Sequence, residues 1–403
     1  MSASLDARSL NPFTALLGEE RHTRYRKLRE LGPVVPLTTP TGASAWFVTD
    51  HEQVRALLTN GALSKGGWEA APFGDRLPED VARGTHTTML NSDPPAHTRL
   101  RKLVTRAFTR RPTERLRPRI QQFTDELLDA AAREAGPVDL VSALAYPLPV
   151  TVICEMLGIP EEERGDFRVW TERLVSPGAH GFDEYSRALT SLHRYSLTLI
   201  EEKRRAPRQD LLSDLIAVRD HQEGLSEDEL TSMIFLLLLA GHETTTNLIG
   251  NGVRALLTHP EQLQTLRDHP DRWEGAIEEL LRYEGPLQNT LGYRTTQPVQ
   301  IGDVTVPADA VVYLSLLSAN RDGQRFPEPD SLDVTRDSRS HIAFGHGIHY
   351  CLGAPLARLE AHVVFRTLVD RYPGLRLAVP PQEVEWRPST VMHGLTELPV
   401  YLN

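Results

Sequence analysis

Residues Ser226 to Thr258 read as one uninterrupted helix, and its length limits the folds open to this chain. Ser226 with Glu229 three positions on makes a capping box, an apolar run follows from Met233, and His259-Pro260 stops the helix. At ~1.5 Å per residue about 32 residues make a rod of nearly 50 Å, enough to cross a whole domain. Elsewhere helical patterning dominates, and the strand-like stretches are short: Trp46 to Thr49, Val299 to Ile301, Val311 to Leu314 and Pro399 to Leu402. The expected class is mainly α with small β-sheets. No Gly/Ser linker, low-complexity tract or repeat divides the sequence, so a single domain over 1–403 is expected.

Composition narrows the function classes. An apolar fraction of 40% supports a large core, and a net charge of −10 speaks against nucleic acid as a partner. The longest apolar run, Met233 to Ala240, falls well short of the ~20 residues a spanning helix needs, so no membrane partner is expected. With only Cys154 and Cys351 and no secretory leader pattern, a cytoplasmic location is expected. Cys154, inside TVICEMLG, reads as a buried core thiol.

Cys351 is different. It lies in HIAFGHGIHYCLGAPLARLE (His341 to Glu360), among Gly345, Gly347 and Gly353, where a loop hands over to a helix expected from about Leu352 to Tyr372. Glycines suit a sharp turn or close approach to a flat ligand. The helix end directs its positive dipole and unpaired N–H groups at the sulfur and favours the thiolate. No Cys-x-x-Cys-His or iron–sulfur spacing is present. One thiolate then fits a noncovalent haem with one axial bond and an open opposite face; a buried inert cysteine, or zinc held by His346, His349 and Cys351, are the alternatives.

The centre of the long helix carries a second anomaly. Ala240-Gly241-His242-Glu243-Thr244-Thr245-Thr246 is a poor helical sequence, since Gly costs ~1 kcal/mol against Ala. A small residue at 240 or 241 lets a ligand approach the backbone, a Thr hydroxyl can open the i−4 bond into a notch, and an acid beside an alcohol can relay protons. The alternative is a bent helix with a solvated glutamate.

Taken together, these residues resemble the cytochrome P-450 superfamily of haem-thiolate monooxygenases. Its pattern Phe-Gly-x-Gly-x-His-x-Cys-x-Gly is met by Phe344, Gly345, Gly347, His349, Cys351 and Gly353. The likeness runs over about residues 10 to 402, and phrases such as AGHETTTNLIGNGVRALLTHP and LRYEGP look closest to actinobacterial macrolide and polyketide tailoring hydroxylases. It implies the P-450 fold with the long helix over haem b, and Cys351 as axial ligand. It implies Ala240 and Gly241 beside the cofactor, Glu243 and Thr244 in proton delivery, and His97, Arg101, Arg294 and His349 on the propionates. Any one of these four could instead be an ordinary salt bridge or a satisfied histidine.

Glu279 and Arg282, one turn apart, match the family's structural Glu-x-x-Arg. Its usual third arginine is absent, because Pro329-Asp330-Ser331-Leu332-Asp333 has serine there; Arg325 and Arg336 are the candidate substitutes. The basic run Arg99, Lys102, Arg106, Arg110, Arg111, Arg115, Arg117 and Arg119 matches the family's donor-docking face, and a solvated face is the competing reading. Electrons are then expected from NAD(P)H through a ferredoxin reductase and ferredoxin.

The resemblance also makes the 64–90 loop and the 167–189 segment a roof over the substrate. Leu90, Leu236, Leu237, Leu287, Asn289, Leu291, Val391 and Met392 are then expected to line an apolar pocket for a sizeable hydrophobic molecule. Hydroxylation is the expected chemistry; epoxidation, oxidative coupling and C–C cleavage remain alternatives, with a non-catalytic haem sensor or zinc module as a different class.

Overall fold

A computed structural model describes residues 10–13, 20–39, 42–66, 76–175, 181–222 and 224–403. It bears out a mainly helical chain with small sheets. The central helix runs Glu227–Thr258 without a break, and its capping box is formed. The Ser226 N–H donates to Glu229 Oε2 at 2.9 Å, and the Glu229 N–H to Ser226 Oγ at 3.1 Å. The expected notch at Thr244 does not interrupt the helical assignment.

The chain forms two compact units. The first comprises the described parts of 1–64, 124–145 and 244–403; the second comprises those of 65–123 and 146–243, so the central helix passes from one to the other between Glu243 and Thr244.

The first unit holds all the sheets. Five strands pair in the order Val34–Thr38, Ser44–Val48, Val311–Leu314, Tyr293–Thr295 and Leu63–Ser64. Trp46, Phe47 and Val48 run parallel to Val312, Tyr313 and Leu314; the other pairs are antiparallel. One face packs Val34, Val48, Val312, Leu314 and Ile301 into a core; Phe47 packs with Tyr25 and Leu28 of the Glu20–Leu31 helix. Strands 299–301 and 311–314 match expectation. Val34–Thr38, Tyr293–Thr295 and Val304–Val306 went unread, because three to five residues carry little period-two signal. No helix among the described residues is long and apolar enough to cross a membrane.

The Glu-x-x-Arg pair is not a solvated helix pair. Glu279 and Arg282 are fully buried, joined through two N–H···O bonds of 2.7 and 2.8 Å. Arg282 spends all five donors: two on Glu279 and three on the carbonyls of Asn320, Pro329 and Ser331. The third arginine is Arg336, whose Nε reaches Glu279 Oε1 at 3.3 Å, while Arg325 lies over Phe326. Glu279 also accepts from the Asp333 N–H and the Ser338 hydroxyl. Serine at 331 is therefore compatible with the network: its carbonyl is used, and the third guanidinium comes five residues later.

A second buried network gathers His22, Glu284 and His393. Arg321 donates to Glu284 at 3.0 Å, both histidine Nε2 atoms face the same carboxylate, and Trp386 stacks on His393 at 4.2 Å. Burial first, then the Arg21 charge, pushes His393 down to about 3; burial and Arg321 lower His22. Burial opposes ionisation of Glu284, but the histidines and Arg321 overcome it and hold its carboxyl well below the usual range.

Two predictions follow from these networks. Removing one partner of the fully buried pair, as in Arg282→Ala, is expected to cost about 3–5 kcal/mol, whereas Arg336→Ala costs about 1–2 kcal/mol; urea denaturation of the two variants ranks them. Both histidines hold fewer protons folded than unfolded, so stability is complete above pH 6.5 and declines as pH falls toward 3, and the depressed Glu284 adds to the loss at the acid end. Unfolding free energies between pH 7 and 5 should fall by about 1 kcal/mol per unit, with a shallower slope in His393→Phe.

Candidate active site

The cysteine loop is shaped by its backbone before any ligand is considered. Gly345 and Gly347 have φ of +71° and +74°, where L side chains are strained, and a Cβ on Gly347 would lie 2.6 Å from the Leu58 carbonyl oxygen. The Cys351 N–H donates to the Phe344 carbonyl at 2.8 Å, closing the loop on itself, and the Tyr350 N–H donates to Gly347 at 3.1 Å. Gly353 is the N-cap of the helix Ala354–Arg371, which begins three residues after the sulfur. Cys351 is exposed, whereas Cys154 is fully buried and its thiol is pushed up to about 12 by burial.

The loop is fastened from below by a residue that the motif reading passed over. Glu278, next to the Glu279 of the buried pair, accepts from Arg358 Nε and Nη2 at 2.7 Å each and meets His341 Nε2 at 3.1 Å. Burial works against its ionisation, yet Arg358 and His341 hold the carboxyl down to about 2. The Arg358 guanidinium lies 4.5 Å from the Phe344 ring centre and donates to the Tyr350 hydroxyl at 3.3 Å. Thus the loop start, the motif phenylalanine, the residue before the cysteine and the following helix all converge on the Glu278–Arg358 pair. The sequence signal was Arg358 standing one helical turn beyond Ala354 on the helix after the cysteine.

His346, His349 and Cys351 do not gather as zinc ligands. Among the described residues, the one group of three metal-capable donors within reach of each other is His22, Glu284 and His393. That group does not suit a cation: Arg21 and Arg321 already crowd it, and Arg21 can only donate to His393 Nδ1, which leaves the proton on the Nε2 a metal would need. One exposed cysteine sulfur beside a helix N-terminus fits instead a metal that brings its other donors in a flat macrocycle, so the residues present fit haem.

In the same unit Arg294 is exposed, 4.0 Å from Asp309, and His349 is half-buried. Leu291 is an exposed large apolar residue, and Leu287 bridges to Met392 through the backbone. Val391 accepts from the Gln288 N–H at 2.8 Å. Asn289 corrects one expectation: it is buried, its amide donates to the Thr390 carbonyl at 2.7 Å and its oxygen accepts from Tyr25, so its side chain is spent in the frame. Thr244, half-buried, opens the first unit's share of the central helix.

The second unit contributes the other half of that helix. Leu236 and Leu237 are buried, Ala240 is exposed in mid-helix, and Glu243 is 2% exposed, which excludes a solvated glutamate. Gly241 needs a different explanation from the one its motif suggests: a Cβ there would lie 2.9 Å from Ile153, so helix packing selects the glycine. On the Ala96–Thr105 helix His97 is buried and Arg101 half-buried; Leu90 is half-buried in a short 3-10 turn.

The 64–90 segment is less irregular than expected: Glu79–His86 is helical, and 67–75 lie outside the described residues. The 167–189 segment gives two helices, Gly165–Val175 and Phe182–Arg205, and 176–180 lie outside the described residues.

The basic run is partly neutralised. Arg99 pairs with Glu229, Arg117 with Glu114 and Arg119 with Glu155. Lys102, Arg106, Arg110, Arg111 and Arg115 have no ion pair among the described residues.

Comparison with known proteins gives consistent results. The family model "Cytochrome P450" matches residues 176–276 and 273–400. Cytochrome P450 107B1 of Saccharopolyspora erythraea is 45% identical over 396 residues, covering 96% of each chain. The 6-deoxyerythronolide B hydroxylase of the same organism is 42% identical over 387 residues, 94% of this chain and 95% of that one. The solved tirandamycin C-bound P450 monooxygenase TamI superposes with a TM-score of 0.89 at 43% identity, covering 95% of this chain and 98% of the other.

The clamp below the loop carries its own prediction. Arg358→Ala, which frees Phe344 and Tyr350 without touching the sulfur, is expected to weaken haem retention roughly tenfold. Haem transfer to a scavenging globin measures it; an unchanged transfer rate would mean that the clamp does not position the loop.

Proposed function

The chain belongs to the cytochrome P450 family of haem-thiolate monooxygenases, and from that premise we propose that it hydroxylates a sizeable, mostly hydrophobic secondary metabolite of the macrolide or polyketide type. The observation that carries the reading is Cys351, an exposed thiol held by a glycine-shaped loop at a helix N-terminus. Support for the substrate class comes from the 6-deoxyerythronolide B hydroxylase and from the tirandamycin C-bound enzyme, both above 40% identity.

When bound, the haem supplies activation of dioxygen, so that R–H, O2, two electrons and two protons become R–OH and water. The protein contributes ligation, orientation and proton control. Cys351 would hold the haem iron through its sulfur, with the Ala354–Arg371 helix end favouring the thiolate. Phe344, Gly345 and Gly353 shape the loop, and Arg294, His349, His97 and Arg101 would hold the two propionates by charge-assisted hydrogen bonds.

Glu243 holds and passes protons from its buried carboxyl, and Thr244 presents its hydroxyl one residue on. Ala240 leaves room beside the helix. Leu90, Leu236, Leu237, Leu287, Leu291, Val391 and Met392 offer apolar surface that orients the substrate and excludes water. The two electrons come from NAD(P)H through a ferredoxin reductase and a ferredoxin, which docks on Lys102, Arg106, Arg110, Arg111 and Arg115. We place the enzyme in the cytoplasm, where cysteines outside any disulfide are stable.

Titration with macrolactones and linear polyketides, read as the low- to high-spin shift of the haem spectrum, tests the substrate class; binding by fatty acids alone, with no response to either metabolite class, would overturn it. For proton delivery, Thr244→Ala is expected to keep substrate binding while at least half of the oxygen consumed no longer appears as product; full coupling would remove Thr244 from the relay. Charge reversal at Arg106 should slow ferredoxin-driven reduction roughly tenfold, about 1.4 kcal/mol, and an effect that persists at high salt would contradict electrostatic docking.

A further inference from the structure

One close approach within the second unit has no part in ligation or proton delivery. His193 of the Phe182–Arg205 helix is 5% exposed, and its ring lies directly on the backbone of Gly84 in the Glu79–His86 helix; a Cβ on Gly84 would lie 2.6 Å from His193 Nδ1 and closer still to Cε1. Real Cβ atoms do not show that separation, so the ring keeps this place only while position 84 has no side chain. Nδ1 has no hydrogen-bond partner, which marks the ring as a packing element at this spot.

The same turn has two weaker fastenings. The Ser232 hydroxyl donates to the Arg83 carbonyl at 3.0 Å, and Arg83 pairs with Asp228 at 3.2 Å. That ion pair is about half exposed on both sides, so it contributes little. Val81 and Thr85 flank Gly84 and are buried. The contact between ring and backbone therefore joins these two helices, while Ser232 and Asp228 tie Arg83 to the Glu227–Thr258 helix.

We propose that His193 is a positioning residue that fixes the Glu79–His86 helix through Gly84, and thereby sets how bulky a molecule the enzyme admits. The proposal rests on the reading above that the 64–90 and 167–189 segments roof the substrate. A methyl on Gly84 competes with the ring for one volume, so the helix must retreat or the ring must leave; shortening the ring to a methyl returns the space. Losses at the two positions are therefore coupled rather than additive.

The test uses holoenzyme of four kinds: wild type, Gly84→Ala, His193→Ala and the double variant. Amide hydrogen exchange across 79–88 reports the helix, and the association rates of imidazole and of the bulkier N-phenylimidazole at the haem report the aperture without needing the natural substrate. Gly84→Ala is expected to speed exchange at least tenfold and to change the ratio of the two association rates at least threefold. The double variant should return both readouts to within about threefold of wild type, with the carbon monoxide spectrum unchanged throughout.

Additive effects in the double variant, or a rate ratio indifferent to all three substitutions, would overturn the proposal. Should macrolactones fail to bind wild type, the substrate class falls while exchange and imidazole entry still decide the role of His193.

Discussion

Two adjacent carboxylates on one short helix hold the Cys351 loop, and the other features of the cysteine site depend on them. Glu279 joins fully buried Arg282 and half-buried Arg336 in a network that fixes the carbonyls of 320, 329 and 331. Glu278 points the other way and holds Arg358 and His341, which grip Phe344 and Tyr350 on either side of the turn. A buried ion pair adds little net stability when compared with an apolar substitute, but breaking one is costly. The natural role for such an arrangement is geometric: it allows one loop conformation and penalises departures from it.

The central helix shows a division of labour that one motif conceals. Ala240 is the open position in mid-helix, Gly241 is spent on packing against Ile153, and Glu243 is buried with Thr244 following it. Neighbouring small residues thus have different surroundings, one open and one packed. The same distinction separates Asn289, whose amide braces Thr390, from Leu291, which offers exposed apolar surface close by.

What the sequence disclosed follows from how local the determining interactions are. The capping box at Ser226, the stop at Pro260 and the strands 299–301 and 311–314 are fixed by near neighbours, and they lie where pattern places them. Cys351, its glycines and the following helix were legible for the same reason. The choice of Arg336 over Arg325 as the third arginine, the Glu278 clamp, the His22–Glu284–His393 cluster and the meeting of Gly84 with His193 were not. Each joins residues far apart in sequence, and a lone Arg or His carries no periodic signal of its partner. The strands at 34–38 and 293–295 were missed through shortness, because they are completed by their neighbours rather than by their own pattern.

The central claim is that Cys351 alone supplies the protein's bond to the haem iron, as a thiolate. The absorption spectrum of the reduced, carbon monoxide-bound holoprotein tests it most directly. The account predicts a red-shifted Soret band in wild type that disappears in Cys351→Ala even where that variant still takes up haem. An imidazole-type spectrum in wild type, or an unshifted result in the variant with the red-shifted band intact, would contradict it.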